Sequence, residues 1–289
     1  MRYIWKTMRP HQWVKNLFVF AALFFSGGAT EAGKLIIACL TFVSFCAMAS
    51  AVYFLNDIMD RERDRKHPTK CRRPIASGVL PLSAAITSSL ILGISSLTLA
   101  YAIAPVVGLL VSIYGIFNVM YSFWLKHIVI LDLFCVALGF VLRVLSGGLA
   151  ISVMPTSWLV IASFLLALFL ALSKRRHELL IIEGSSKDLR PVLEHYTPQL
   201  IDELISVVTP TILITYLLYT LDSETAARFN SKILYGTSVF VIFGIFRYLY
   251  LVHHENLGGS PTDLVLTDLP LIMAILGWIL TFSFIIYLA

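Results

Sequence analysis

Apolar residues fall along this chain in long blocks separated by short polar breaks. A helix needs roughly 20 mainly apolar residues to cross the hydrocarbon core of a bilayer. Nine blocks meet or approach that length, at about 14–27, 34–56, 82–101, 105–123, 131–150, 157–173, 199–220, 234–252 and 269–288. Gly27-Gly28, Pro81, Pro105, Gly147-Gly148, Pro155, Pro198 and Pro270 lie at or near their ends, where helices start and stop. The first block is short, and a polar, aromatic stretch from Met1 to Trp13 precedes it. That stretch reads as an interfacial helix rather than a signal peptide, because no small-residue cleavage site follows a brief apolar core. The pattern predicts an all-α membrane protein. It is expected to form a single integral membrane domain over residues 1–289, a bundle of nine transmembrane helices with an N-terminal interfacial helix.

Composition agrees and narrows the class. Of 289 residues 58% are hydrophobic and 13% charged, whereas soluble domains carry about 25% charged residues. A cytosolic enzyme, a disordered chain and a fibrous chain are excluded. The net charge is +5, but the cations lie between apolar stretches rather than on a soluble basic face, so no nucleic-acid partner is expected. Cys39, Cys46, Cys71 and Cys135 show no metal-ligand spacing and read as free thiols. The histidines (His11, His67, His127, His177, His195, His253 and His254) form no His-x3-His pair, so no histidine metal site is expected.

The cations also set an orientation. With a cytoplasmic N-terminus, eighteen Lys and Arg fall inside, Lys34, Arg228 and Lys232 fall outside, and Arg143 lies within a helix. Two cytoplasmic loops result, at about 57–81 and 174–198. The first holds Asn56-Asp57-x2-Asp60-x3-Asp64 followed by His67-Pro68-x-Lys70-x-Arg72-Arg73. If the second helix continues through its start, Asn56, Asp60 and Asp64 share one face, with Asp57 beside Asp60. Like charges at i, i+4 destabilise a helix unless a cation sits between them. One or two carboxylates completed by substrate phosphates suit Mg²⁺. The cations Lys70, Arg72 and Arg73 suit phosphate oxygens. A diphosphate leaving group is the chemistry this pairing suggests; positive-inside topology alone needs no aspartates.

These residues resemble the first aspartate-rich motif of UbiA-type membrane prenyltransferases, which are nine-helix bundles. The match is closer to one branch, the decaprenyl-phosphate phosphoribosyltransferases. It rests on Arg9-Pro10-x-Gln12-Trp13-x-Lys15-Asn16 and on the block from Asn56 to Gly78. Weaker matches follow: Tyr121-Ser122-x2-Leu125-Lys126 with Asp132, Gly139-Phe140-x-Leu142-Arg143-x3-Gly147-Gly148, Lys174-Arg175-x2-Glu178, Arg247-Tyr248 and Asp268-x-Pro270-Leu271. Prenyl-diphosphate enzymes of the family carry a second aspartate-rich motif after helix six. Here that place reads Ser173-Lys174-Arg175-Arg176-His177-Glu178. It is cationic, as fits an additional substrate phosphate.

The resemblance implies transfer of 5-phosphoribose from phosphoribosyl diphosphate to a polyprenyl phosphate, with Mg²⁺ and release of diphosphate, at the cytoplasmic face of a bacterial inner membrane. Asp60 and Asp64, assisted by Asn56 or Asp57, would hold the metal. Lys70 and Arg73 would bind the diphosphate. Lys174 and Arg175 would take the ribose 5-phosphate or the lipid phosphate, and Glu178 would orient those cations or bond a ribose hydroxyl. Five further polar residues carry two readings each. Lys15 and Asn16 either snorkel or reach the lipid phosphate. Tyr121 and Lys126 are interfacial anchors or substrate ligands. Arg143, about 16 Å along the helix from Asp132, binds a phosphate or pairs with a helix carbonyl. Gly147-Gly148 suits packing within one chain or in an oligomer. Two other functions compete: an aromatic prenyltransferase with a polyprenyl diphosphate donor, and a non-enzymatic lipid-phosphate carrier.

Overall fold

The computed structural model describes residues 2–67, 69–182, 191–223, 225, 229, 233–255 and 257–287. Pro68, Lys187, Arg190, Glu224, Arg228 and Lys232 lie outside the described residues, as do residues 183–190 of the second expected loop. The described chain is helical, without a strand. Its elements are α1 (Arg2–Met8), a 3₁₀ segment (Pro10–Phe20), α2 (Ala21–Phe25), α3 (Ala32–Met59), α4 (Arg61–Lys66), α5 (Leu82–Ile103), α6 (Pro105–Phe123) and α7 (Leu131–Ala150). There follow α8 (Ser157–Ile182), α9 (Pro198–Leu221), α10 (Ser238–His253), α11 (Pro261–Thr267) and α12 (Leu269–Tyr287), with short 3₁₀ turns between them.

Eight helices among the described residues are long and apolar enough to cross a membrane, and they coincide with eight of the nine expected blocks. Their outward faces are apolar: Leu90, Ile91 and Ile94 of α5 are all exposed, as a lipid-facing surface requires and a water-facing one does not tolerate. This is a multi-pass membrane protein. Local chemistry sets the ends. Ala104 precedes Pro105, whose ring disfavours helical geometry at the residue before it; Ala104 is extended and α5 stops there. Pro198 opens α9, and Thr197 Oγ1 accepts the Leu200 N–H at 3.1 Å.

The ninth block differs. Residues 14–27 as an α-helix would reach only about 21 Å. The chain instead runs as eleven residues of 3₁₀ helix followed by the short α2. At about 2.0 Å per residue for the first part and 1.5 Å for the second, the pair extends about 30 Å, the hydrocarbon thickness. A second difference concerns α8, which continues to Ile182 through residues expected to open a loop. At 26 residues it is about 39 Å long and outruns the hydrocarbon.

Contacts divide the chain into two compact units: Met1–Ile128 with Gly139–Pro155, and Val129–Leu138 with Thr156–Ala289. In the first, α3 is the central element, packed by α5, α6 and the 3₁₀ segment. Val19, Phe45, Val107, Val111 and Tyr114 form its core. The α3–α5 contact is close because small residues meet. Ser96 Oγ donates to the Ser44 carbonyl at 2.7 Å, and Ser44 Oγ to the Ser96 carbonyl at 3.0 Å. In the second unit α8 packs on α9 and α10 on α12, with Phe169 against Tyr248 and the Trp278 N–H donating to Tyr216 Oη at 2.6 Å.

Gly147 is the tightest point of the first unit. A Cβ built there would lie 1.8 Å from the Val19 carbonyl oxygen, whereas one at Gly33 meets nothing within 4 Å. Gly147→Ala is expected to destabilise by at least about 1–3 kcal/mol, the range typical of overpacking, and Gly33→Ala not to destabilise measurably by packing. Thermal unfolding of both variants in detergent checks this; equal melting temperatures would contradict the contact.

Candidate active site

Two polar clusters interrupt the apolar helices, one in each unit. The first begins where α3 ends. Asp60 leaves helical geometry (φ −83°, ψ 4°) and α4 restarts at Arg61. The i+4 backbone bonds persist across the break, from Asp60 N to the Asn56 carbonyl at 2.9 Å and from Asp64 N to the Asp60 carbonyl at 2.7 Å. The single stripe of Asn56, Asp60 and Asp64 is nevertheless split. Asp57 and Asp64, both buried, converge on Arg73, whose Nη1 lies 3.1 Å from Asp57 Oδ1 and 2.6 Å from Asp64 Oδ2. Asp60 faces Lys126, with Nζ 3.8 Å from Oδ1. Each carboxylate thus meets a cation, which offsets the like-charge cost of the stripe.

Arg9 completes this network. Its Nη2 donates to Asp57 Oδ1 at 2.6 Å, and its guanidinium lies over the Tyr53 ring, 4.9 Å from the centroid. Arg9 takes φ +53°, a left-handed backbone that costs an ordinary residue about 1–2 kcal/mol. The ion pair and the ring stack offset that strain. His67 shapes the loop: its Nδ1 accepts the N–H groups of Thr69 and Lys70 at 3.2 and 3.3 Å.

Asn56 Oδ1 is buried and has no hydrogen-bond partner. An orphaned amide oxygen one helical turn from Asp60 is a hard oxygen donor of the kind Mg²⁺ takes. No group of three or more His, Cys, Asp or Glu among the described residues is arranged to hold a metal. Mg²⁺ does not require one, since it is commonly held by one or two carboxylates with substrate phosphates and water. The donor set fits the ion.

Lys15, Lys70 and Tyr121 belong to the same unit and are half-buried. Asn16 and Arg143 are buried and bonded to one another: Arg143 Nε donates to Asn16 Oδ1 at 2.7 Å. Arg143 also donates to the Gly139 carbonyl at 2.8 Å and to Tyr114 Oη at 2.7 Å. The pairing with a helix carbonyl, one of the two readings of Arg143, is thus present.

The second cluster lies on the overlong end of α8. Asp132, fully buried, accepts two bonds at Oδ2 from Arg175, from Nε at 2.9 Å and from Nη2 at 2.8 Å. Arg175 Nη1 pairs with Glu178, three residues on, and Lys174 lies 4.0 Å from the other Glu178 oxygen. The i+3 and i+4 pairs carry the helix through a sequence that looked like a loop. Tyr196 donates to Asp132 Oδ1 at 2.8 Å and accepts the Ile130 N–H at 2.6 Å. Burial, with Asp132 close by, pushes the Tyr196 hydroxyl well above its ordinary pKa, so it stays a donor. Ile130 has φ +67°, rare for a β-branched residue. Arg176 bonds Asp202 at 2.7 Å. Arg247 grips Asp268 through two bonds of 3.1 and 2.8 Å, which hold that carboxyl below the usual range.

An all-helical multi-pass membrane protein with these two charged clusters defines the class. The model of the UbiA prenyltransferase family matches residues 16–178. The chain belongs to the UbiA prenyltransferase family and is a membrane transferase. Among its relatives, the decaprenyl-phosphate phosphoribosyltransferase of Corynebacterium glutamicum is 32% identical over 287 residues, 98% of this chain and 86% of the relative. That of Mycobacterium tuberculosis is 32% identical over 280 residues, 96% of this chain and 91% of the relative. In fold, the chain resembles a UbiA homologue from Archaeoglobus fulgidus bound to GPP and Mg²⁺, with a TM-score of 0.74 at 21% identity over 98% of this chain and 99% of that one.

Sequence reasoning assigned no site role to Arg9 or Tyr196. Arg9 was within a matching motif, and its left-handed turn before Pro10 carried no sequence signal. Tyr196 lies 64 residues from its partner. Asp132→Ala would take from buried Arg175 the carboxylate that accepts two of its bonds, and a loss of about 3 kcal/mol or more is expected. Tyr196→Phe removes one neutral donor and should cost less, about 1–3 kcal/mol. Denaturant unfolding in detergent ranks them; a larger loss for Tyr196→Phe would contradict this account of the cluster.

Proposed function

We propose that this chain transfers 5-phosphoribose from phosphoribosyl diphosphate to a polyprenyl phosphate and releases diphosphate. The observation that carries the reading is the end of α8. Where prenyl-diphosphate enzymes of the resemblance described above carry aspartates, this chain has Lys174, Arg175 and Arg176. Cations there suit a substrate with a further phosphate, and both the donor and the acceptor of this reaction supply one. The names of the relatives from Corynebacterium and Mycobacterium agree.

The bond that forms joins a lipid phosphate oxygen to ribose C1; the bond that breaks joins C1 to the diphosphate. The transition state has oxocarbenium character, as in other glycosyl transfers. The nucleophile is already anionic at neutral pH, so the site needs no strong general base. Positioning and charge stabilisation supply the catalysis. Arg73 and Arg9, which converge on Asp57, receive the diphosphate oxygens, with Lys70 three residues before Arg73 and Lys126 3.8 Å from Asp60. Asn56 and Asp60, with Asp57 and Asp64, would hold Mg²⁺, which when bound would supply charge neutralisation for the diphosphate. Tyr121 and Lys15 contact substrate phosphate. Lys174 and Arg175 bind the ribose 5-phosphate or the lipid phosphate, and Glu178 orients them. Lys174 is the more accessible of the two, because Arg175 already holds Asp132 and Glu178.

The 3₁₀ segment with α2 makes a ninth crossing, and the N-terminus faces the cytoplasm of a bacterial plasma membrane. The whole chain serves as one membrane domain, and a homo-oligomer is compatible with its small-residue helix faces.

Purified protein in detergent should release diphosphate from phosphoribosyl diphosphate only with decaprenyl phosphate and Mg²⁺ present, and chelation should abolish it. Release from geranyl diphosphate with an aromatic acceptor, and none with the first pair, would reverse the reading. Asp60→Asn should lower kcat/KM by about 100-fold or more; full Mg²⁺-dependent activity in that variant would sink the metal assignment.

A further inference from the structure

The 3₁₀ segment Pro10–Phe20 is unusual, since 3₁₀ runs beyond three or four residues are uncommon. What sustains it is a match of spacings. Three 3₁₀ residues rise about 6.0 Å and complete one turn, and four α-helical residues also rise about 6.0 Å. Trp13, Asn16 and Val19 therefore form one straight face of the segment. Along α3, Trp13 Nε1 donates to Ser50 Oγ at 3.1 Å and Asn16 Nδ2 to Cys46 Sγ at 3.2 Å, four residues apart and in antiparallel order. Along α7, Arg143 holds Asn16 while Gly147, four residues on, admits the Val19 backbone. The segment thus meets two helices at the same three-residue step, through Trp13 and Asn16 on α3 and through Asn16 and Val19 on α7. As an α-helix, successive contacts would rotate about 60° off this face and fall about 1.5 Å short per step.

Arg143 is the strongest of these pins. Only 6% of it is exposed, and three donor groups are spent on Asn16, Gly139 and Tyr114. Its guanidinium lies over the rings of Tyr114 and Phe140 at 4.8 and 5.2 Å. No carboxylate among the described residues is paired with it. A buried cation so placed is costly in a membrane and holds few alternatives to this geometry. At the head of the segment stands Arg9, bonded to Asp57.

We propose that Arg143 is a positioning residue: it holds Pro10–Phe20 in the extended 3₁₀ form, and so keeps the Arg9 guanidinium at Asp57, where it receives the diphosphate. Relaxed to an α-helix, eleven residues shorten by about 5.5 Å, enough to draw Arg9 off the carboxylate. The role of Arg9 rests on the proposed reaction; the pinning does not.

Two measurements on the full chain in detergent separate these. Nitroxide labels at Tyr3→Cys and Ile36→Cys, both exposed positions, with Cys39 and Cys71 replaced by Ser, report the length of the segment by pulsed EPR. Arg143→Gln should shorten that distance by about 5 Å; an unchanged distance overturns the proposal. Asn16→Ala serves the same purpose if Arg143→Gln does not fold. Inorganic diphosphate with Mg²⁺ then probes the consequence. Arg143→Gln and Arg9→Gln should each weaken binding about tenfold, and the double variant no more than either alone. A double variant weakened by the product, about 100-fold, overturns the positioning role. If the parent protein binds no diphosphate, the proposed function fails, and the EPR distance alone decides the pinning.

Discussion

A charge in an apolar slab has to be settled within the protein. Water cannot screen it there, and an unpaired buried ion costs several kcal/mol. Every cation and carboxylate described at depth obeys this constraint, and the obedience shapes the chain. Asp57 and Asp64 close on Arg73, Asp132 on Arg175, and Arg143 on amide, carbonyl and ring faces. The helix break at Asp60 follows from the same pressure, because an unbroken helix would align three like-facing polar groups with no cation between them.

The spans were legible because membrane thickness imposes a length, and a length survives any detail of packing. The acidic run was legible as a site because topology needs cations alone. What sequence did not reveal was which partner each charge takes. Asp60 was grouped with Asp64 by its spacing, yet a single residue with non-helical ψ turns it toward Lys126. Arg175 was read as a phosphate ligand, and its buried pair with Asp132, 43 residues away, is a long-range choice that local pattern does not encode. The 3₁₀ segment escaped for another reason. Over eleven residues, periods of 3.0 and 3.6 differ by less than one turn, so the apolar pattern fits both.

The paired arginines suit the proposed reaction. Arg9 and Arg73 already sit where negative oxygens converge, so substrate oxygens would replace carboxylate oxygens on the same guanidiniums. Little reorganisation is then needed at the moment of reaction, which is the condition for electrostatic catalysis. Asn56 Oδ1, buried and unpartnered, can gain a bond without surrendering another.

The commensurate packing of the 3₁₀ segment restricts how its gene can change. Loops absorb insertions and deletions because nothing fixes their phase. Here a single inserted or deleted codon between Pro10 and Phe20 would rotate everything before it by about 120° relative to α3 and α7. Three codons would restore the phase yet displace Arg9 by about 6 Å. Substitutions can accumulate along this stretch, but its residue count is held by two neighbouring helices at once.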